Sequence, residues 1–335
     1  MRVLVTGGAG FIGTHLVYAL HAGGNDVTVL DLLTYAGCRE NLADLQGGPR
    51  YRFVQGDIAD GDLVDGLLAQ GFDAVVNAAA ETHVDRSLHD PSAFLRTNVL
   101  GTQVLLDAAR RHGTGRFVQV STDEVYGDLG EGDPPFTEAH PLRPSSPYAA
   151  SKAAADLLVL AAFRTFGQPV LVSRCSNNYG PFQFPEKFVP TVIHRALAGQ
   201  DVPIYGTGDN VRDWIHVVDH CRGLLAVLLR GRPGETYNLG GACEVRNLDL
   251  ARALLRELGR ADDLLRFVAD RQGHDRRYAM DFRKASGELG FTPSVPFRQG
   301  IRDTVAWYRD HPEWLRARLS PEFRRFFALN YPEVP

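Results

Sequence analysis

The stretch Arg2-Val3-Leu4-Val5-Thr6-Gly7-Gly8-Ala9-Gly10-Phe11-Ile12-Gly13 decides the fold. Its first five residues form an apolar, strand-like run. The glycines then fit Gly-x-Gly-x-x-Gly at Gly8, Gly10 and Gly13, and also Gly-x-x-Gly-x-x-Gly at Gly7, Gly10 and Gly13. Glycine permits a tight turn and lets backbone N–H groups approach a pyrophosphate at a helix N-terminus. Phe11 and Ile12 lie inside that turn, where the helix begins. The motif alone is weak, but here a strand precedes it, and a helix and a second strand follow. Asp31 ends that second strand, where an acid accepts hydrogen bonds from an adenosine ribose. A carboxylate there repels a 2′-phosphate, so NAD is expected rather than NADP.

Apolar spacing extends the pattern. Strands are expected over 3–6, 27–30, 51–55, 74–78, 117–121 and 170–173, and helices over 11–21, 62–70, 91–112 and 147–166. This alternation predicts an α/β protein with a Rossmann-type doubly wound parallel sheet. A helix over 217–229 and a strand over 236–239 are expected to return to that sheet. Residues 1–175 plus 205–240 would then form the dinucleotide-binding domain. Residues 176–204 plus 241–335 would form a smaller, discontinuous substrate domain. The segment 128–147, rich in Gly, Pro and Glu, reads as a long irregular loop, a kind of segment that is often functional. Asp57 and Ile58 follow the third strand and could meet an adenine, although a helix N-cap at Asp57 fits as well. Ala78 and Ala80 follow the fourth strand, where small residues would let a cofactor lie close.

Composition narrows the classes. The 335 residues carry a formal net charge of -4, which argues against non-specific nucleic-acid binding. No apolar run is long enough for a transmembrane helix, and no apolar signal segment is read at the start, so no membrane association and a cytoplasmic location are expected. Cys38, Cys175, Cys221 and Cys243 are scattered, without Cys-x-x-Cys, which fits a reducing compartment. No metal site is expected from the spacing of histidines and carboxylates. Of 36 basic residues only Lys152, Lys187 and Lys284 are lysines. Each is therefore a place to ask whether arginine would fail; Lys284 is expected on a surface helix, with no role read for it.

Lys152 belongs to Tyr148-Ala149-Ala150-Ser151-Lys152, whose i, i+4 spacing puts Tyr148 and Lys152 on one helix face. A phenol with an ordinary pKa of about 10 is a poor base at neutral pH. A nearby ammonium and a positive nicotinamide would favour the phenolate. Upstream, Ser121-Thr122-Asp123-Glu124-Val125-Tyr126-Gly127 ends the fifth strand, and strand ends are where ligands bind in open α/β sheets. Thr122 could hydrogen-bond a substrate hydroxyl. The adjacent Asp123 and Glu124 would suit one acid and one base with separated pKa values. A helix cap with solvated charges is the plainer alternative.

Together these motifs resemble the extended short-chain dehydrogenase/reductase superfamily. Within it, Ser-Thr-Asp-Glu-Val-Tyr-Gly resembles the dTDP-glucose 4,6-dehydratases. The resemblance runs over nearly the whole chain, through Leu33-Thr34-Tyr35-Ala36-Gly37, Ala79-Ala80-Glu81-Thr82-His83-Val84-Asp85-Arg86-Ser87 and Cys175-Ser176-Asn177-Asn178-Tyr179-Gly180-Pro181. It continues through Phe184-Pro185-Glu186-Lys187, Arg212-Asp213-Trp214 and Gly273-His274-Asp275-Arg276-Arg277-Tyr278. Two departures stand out: Cys38 where Asn is usual, and Ile215-His216-Val217-Val218-Asp219 in place of Leu-Tyr-Val-Glu-Asp.

The resemblance implies internal redox with loss of water, serving deoxysugar biosynthesis. Tyr148 takes the C4 hydroxyl proton as C4 is oxidised, and Thr122 positions the C4 oxygen. Glu124 removes the C5 proton, Asp123 protonates the departing C6 hydroxyl, and reduction at C6 regenerates NAD. The product is a 4-keto-6-deoxy sugar nucleotide. Thr34, Thr97, Cys175 and Asn178 join the cofactor-binding set. Thr82, His83 and Asn177 lie near sugar and diphosphate, Glu186 and Lys187 hold the base, and Pro203 and Tyr205 pack around it. Arg212, Asn247, Arg271 and His274 engage the diphosphate, for which arginine is suited by bidentate bonding. A homodimer is implied, through helices 91–112 and 147–166. Two other readings stand beside this one. One is a dehydratase or epimerase for a UDP-sugar, the epimerase being disfavoured by the Asp123-Glu124 pair. The other is a non-catalytic NAD-binding scaffold, disfavoured by the presence of both Tyr148 and Lys152. No role is read for the tail beyond Trp314.

Overall fold

The computed structural model describes residues 1–334. Its strands are β1 (Arg2–Thr6), β2 (Asp26–Asp31), β3 (Tyr51–Gln55), β4 (Ala74–Asn77), β5 (Arg116–Thr122), β6 (Val170–Cys175), β7 (Asn177–Tyr179), β8 (Val202–Tyr205), β9 (Val211–His216), β10 (Thr236–Leu239), β11 (Glu244–Arg246) and β12 (Leu265–Val268). Seven of them form one parallel sheet in the order β10-β6-β5-β4-β1-β2-β3. The order reverses between β1 and β4, and ligands bind outside the strand carboxyl ends at such a switch point.

Both faces of the sheet are covered, as the near-continuous apolar strands require. Val3 and Val5 join one core with Leu16, Val17, Val27 and Val29. Leu4, between them, points the other way into a core with Leu30, Val64, Leu105 and Val172. The helix Pro147–Phe166 shows why its ends fall where they do. The Ser146 hydroxyl accepts the Ala149 N–H at 3.1 Å, proline takes the first helical position, and Gly167 closes the helix at φ 65°.

Three expectations need correction. The helix expected over 91–112 is interrupted: Leu95–Gly101 winds as a π-helix between Ser92–Phe94 and the α-helix Thr102–Arg111. A Cβ at Gly101 would stand 2.6 Å from the Ile58 side chain, so glycine lets this segment press against the loop after β3. The division into domains also differs. Val211–His216 pairs with β7 and β11 in a separate sheet, not with the main one. The helix Arg283–Leu289 sends Ala285 and Leu289 into the core under the main sheet. Finally, Lys284 does not stand on an open surface. It pairs with Glu235 at 2.6 Å, donates to the Thr236 carbonyl and lies over the Tyr237 ring, tying that helix to β10. The second lobe has its own core around Tyr179, Val192, Trp214, Leu250, Leu254, Ile301 and Tyr308. Among the described residues no helix is long and apolar enough to cross a membrane.

Candidate active site

A single cleft runs along the carboxyl ends of β1, β2, β4, β5 and β6 into the space before the helix Phe188–Ala198. Gly7, Gly10, Phe11, Ile12 and Gly13 line it, and Gly8 does not. Of the two glycine patterns, the one beginning at Gly7 therefore faces the cleft. Gly7 sits at φ +66°, and a Cβ there would lie 2.6 Å from the Ala79 backbone. A Cβ on Gly13 would collide with the Gly7 carbonyl, whereas Gly8 only packs on Val29. This crowding leaves a backbone-walled cradle at the start of the helix Phe11–Ala22. Asp31 is anchored beside it, accepting the Ala9 N–H at 2.9 Å and the Leu33 N–H at 2.8 Å. Leu33 is held at φ 57° by that bond. The residues therefore fit a dinucleotide: small, close backbone for a pyrophosphate and a fixed carboxylate for a ribose.

Thr34, Asp57, Ile58, Ala78, Ala80, Thr97, Cys175 and Asn178 also line the cleft. Asp57 does not cap the following helix, whose N-cap is Asp60. Instead it accepts the Ala59 N–H and pairs with Arg96 at 2.8 Å.

The reactive end lies after β5. Thr122 caps the short turn Asp123–Tyr126, its hydroxyl accepting the Glu124 N–H at 3.3 Å. The turn projects Asp123 and Glu124 into the cleft beside Tyr148 and Lys152. Asp123 is 2% exposed, and one of its oxygens has no hydrogen-bond partner. Burial, then the charges of Glu124 and Asp213, hold its carboxyl well above the usual range. Glu124 is also raised by burial, but Arg271, Lys187 and Arg212 pull it back. The neighbouring carboxylates thus divide into one that keeps its proton and one that gives it up more readily, as acid and base roles require.

Tyr148 faces the cleft beside Thr122. The expected lowering of its phenol is not what the protein's own groups produce. Burial, then Glu124, push it well above its ordinary value. Lys152, lowered by its own burial, directs Nζ to the Val120 carbonyl at 2.6 Å. The Cys175 thiol, pushed up to about 12 by burial and Asp123, stays neutral.

The sugar-nucleotide set divides in two. Thr82, Asn177, Glu186 and Lys187 line the cleft. Buried Glu186 pairs with Arg86 at 2.9 Å, and Lys187 donates to the Thr82 carbonyl at 2.6 Å. His83 lies behind them, its Nε2 3.1 Å from the Glu186 carbonyl oxygen and its pKa lowered to about 3 by burial. Pro203, Tyr205, Arg212, Asn247, Arg271 and His274 do not line that cleft but belong to the second lobe beside it. Arg271 is not a surface charge: it lies 3.5 Å from Asp85, with side-chain exposure of 17%. Tyr205 donates to Asp85 at 3.2 Å and stands edge-on to His274. His274 is bound to Asp270 at 2.7 Å, with its pKa lowered to about 4 by burial. Arg212 spends its guanidinium on the carbonyls of Val211 and Asp275, under the Tyr278 ring. Asn247 begins the helix Asn247–Glu257, its N–H on the Asn210 carbonyl at 2.9 Å.

Sequence reasoning missed Ser121, Ser176, Gln183 and Phe184 on the cleft wall. It also missed Asp213, the carboxylate behind Asp123, itself raised to about 6 by burial. Asp213 sits in the Arg-Asp-Trp triplet already singled out, which was the available signal. The reading that histidine spacing offers no metal site overlooks His216 and His220, four residues apart, a spacing that could suit a shared metal. However, His216 caps its helix and His220 bonds Asn178 at 2.9 Å. Among the described residues no group of three or more His, Cys, Asp or Glu is placed to hold a metal ion.

A parallel sheet with a dinucleotide cradle, a Tyr-x-x-x-Lys helix and an acid pair at one strand end defines a nucleotide-dependent α/β enzyme class. The chain belongs to the GDP-mannose 4,6 dehydratase family, whose profile matches residues 4–304. It is 54% identical over 321 residues to a dTDP-glucose 4,6-dehydratase from an Actinoplanes species, covering 94% of this chain and 99% of that one. A dTDP-glucose 4,6-dehydratase from Streptomyces antibioticus is 56% identical, with 94% of each chain covered. Among solved structures, the dTDP-glucose 4,6-dehydratase DesIV from Streptomyces venezuelae, with NAD and TYD bound, superposes with a TM-score of 0.93 at 51% identity. That match covers 95% of this chain and 100% of that one.

Proposed function

We propose that this chain is an NAD-dependent dTDP-glucose 4,6-dehydratase, a hydro-lyase that converts dTDP-glucose to dTDP-4-keto-6-deoxyglucose for deoxysugar biosynthesis. The observation that carries the reading is the Asp123-Glu124 pair at the end of β5, unequally held by its surroundings and facing the same cleft as Tyr148. Full-length similarity to enzymes of that name supports the substrate. Bound NAD supplies the two-electron acceptor for C4 and the donor for C6.

The remaining work falls to the protein. With the positive nicotinamide and the Lys152 ammonium beside it, Tyr148 would stand as the phenolate that receives the C4 hydroxyl proton, and Thr122, on the same cleft wall, orients the C4 oxygen. With C4 a ketone, the C5–H is acidified. Glu124, drawn toward its carboxylate by Arg271, Lys187 and Arg212, takes that proton. Asp123, kept protonated, gives its proton to the leaving C6 hydroxyl, so water departs with no free hydroxide. Glu124 then returns its proton to C5, and the C4 proton left on Tyr148 replaces the one Asp123 gave to water, so the cycle closes. Lys152, braced on Val120, positions the Tyr148 helix and the ribose beside it. Glu186 and Lys187 recognise the base, and Arg271 the diphosphate.

The helical segments Leu95–Gly101 and Pro147–Phe166 pack on each other and leave Leu95, Leu100 and Leu157 exposed by 57%, 48% and 58%. A second copy of the chain would cover this face, making a homodimer. Free cysteines at all four positions fit a cytoplasmic setting.

The test is incubation with dTDP-glucose and with UDP-glucose in separate tubes, without added NAD, followed by mass spectrometry for loss of water. Loss from dTDP-glucose is expected. No loss from either substrate, even with added NAD, would defeat the dehydratase reading.

A further inference from the structure

The C-terminal arm, for which the sequence suggested no role, is built onto the sugar-nucleotide side of the site. Its helix Pro321–Asn330 carries Phe323, Phe326 and Phe327, and Tyr331 follows one turn beyond Phe327, so the aromatic groups share a face. Phe326 stands edge-on to His83 at 5.4 Å and lies 4.1 Å from the Arg86 guanidinium, the group that holds Glu186. Asn330 reaches His89 at 3.3 Å. The arm therefore grips the 83–89 segment of the first lobe.

Tyr331 reaches the other side. Its ring lies 5.2 Å from the Tyr205 ring, tilted by 34°. The Tyr205 hydroxyl also meets Asp85 at 3.2 Å, and the second Asp85 oxygen lies 3.5 Å from the Arg271 guanidinium. That Asp85 oxygen and Arg271 Nε have no hydrogen-bond partner, so the ion pair is not locked by directed bonds. Burial raises the Tyr331 phenol, and Asp85 adds to the effect, so the ring meets Tyr205 as a neutral group. A chain of contacts thus runs from the arm through Tyr205 and Asp85 to the arginine beside Glu124.

We propose that Tyr331 is a positioning residue of the sugar-nucleotide site: it fixes Tyr205 and, through Asp85, the Arg271 guanidinium, so that the C-terminal arm sets affinity for the nucleoside diphosphate. The assignment rests on the substrate reading given above. Tyr331 touches no reacting atom, and its loss acts on binding, not on the proton transfers of Asp123, Glu124 and Tyr148. A guanidinium that meets a diphosphate bidentately is sensitive to orientation, and an aromatic wall around Tyr205 supplies it.

The test uses the full-length holoenzyme and three variants, Tyr331→Phe, Tyr331→Ala and Leu329→Ala, the last on the arm's 61% exposed Leu329. Initial rates with dTDP-glucose, dTDP affinity by calorimetry, bound NAD and melting temperature are read for each. Tyr331→Ala is expected to raise KM and the Kd for dTDP together by roughly three- to tenfold, the loss of the ring contact that holds Tyr205. Tyr331→Phe, which keeps the ring, should raise both by less, with kcat and bound NAD close to wild type in both variants. Leu329→Ala should change neither constant. Unchanged KM and dTDP affinity in folded Tyr331 variants, a fall in kcat alone, or an equal effect of Leu329→Ala would overturn the assignment. A wild-type protein that neither turns over dTDP-glucose nor binds dTDP would instead remove the substrate reading, and with it this one.

Discussion

The two walls of the cleft are built by different means. The cofactor wall is largely local. Asp31 takes N–H groups from residues 2 and 22 positions away, and the glycine turn is closed within a few residues by Gly10 N–H on the Gly7 carbonyl. The opposite wall, proposed above to hold the sugar nucleotide, is assembled from afar. Arg86 meets Glu186 across 100 positions, Tyr205 meets Asp85 across 120, and His89 meets Asn330 across 241. Where backbone approach decides the residue type, chemistry is written in short motifs. Where charge pairs decide it, the partners are set by the packing of two lobes and a tail.

That contrast can be broken at defined points. The largest effect is expected at the reactive end, where both walls meet. Tyr148→Phe should lower kcat by about 10²–10⁴-fold while bound NAD, held by the local wall, stays at the wild-type level. A loss of NAD in step with activity would show that the two walls are not separable there. Next, Gly13→Ala tests the local wall itself. Its methyl meets the Gly7 carbonyl, so NAD should be lost on gel filtration and stability should fall by about 1–3 kcal/mol in urea titration. Retained NAD and unchanged stability would mean that the cradle can yield.

The smallest effect concerns a carboxylate brought in from the second lobe. Asp213 helps to keep Asp123 protonated. Asp213→Asn removes that negative charge, so Asp123 ionises at lower pH. The alkaline limb of the kcat profile, which reports loss of the protonated acid, should therefore move acidward. An alkaline limb that stays put would exclude Asp213 from tuning the acid.

The same contrast explains what could be read in advance. All seven strands of the main sheet, most of its helices and the Gly7, Gly10, Gly13 and Asp31 set follow from period and from glycine geometry. Tyr148 and Lys152 follow from helical spacing. The π-helical stretch at Leu95–Gly101 did not, and neither did the close approach of Gly101 to Ile58 across the fold, which spacing does not show. Lys284 was misjudged for the same reason: its partners Glu235 and Tyr237 lie about fifty positions away in sequence. Arg271 was legible only through resemblance, since nothing near it in sequence announces Asp85. The raised phenol of Tyr148 was missed because the sequence shows the lysine four residues away but not the burial or the neighbouring Glu124.

The central claim is that the acid pair at the end of β5 divides the elimination between Asp123 and Glu124. Its most direct test is Glu124→Gln mixed with dTDP-glucose, following reduced-nicotinamide absorbance and product mass together. The account predicts that the absorbance rises and persists, because C4 oxidation proceeds, while no product lighter by one water forms. Full dehydratase turnover by this variant would contradict it.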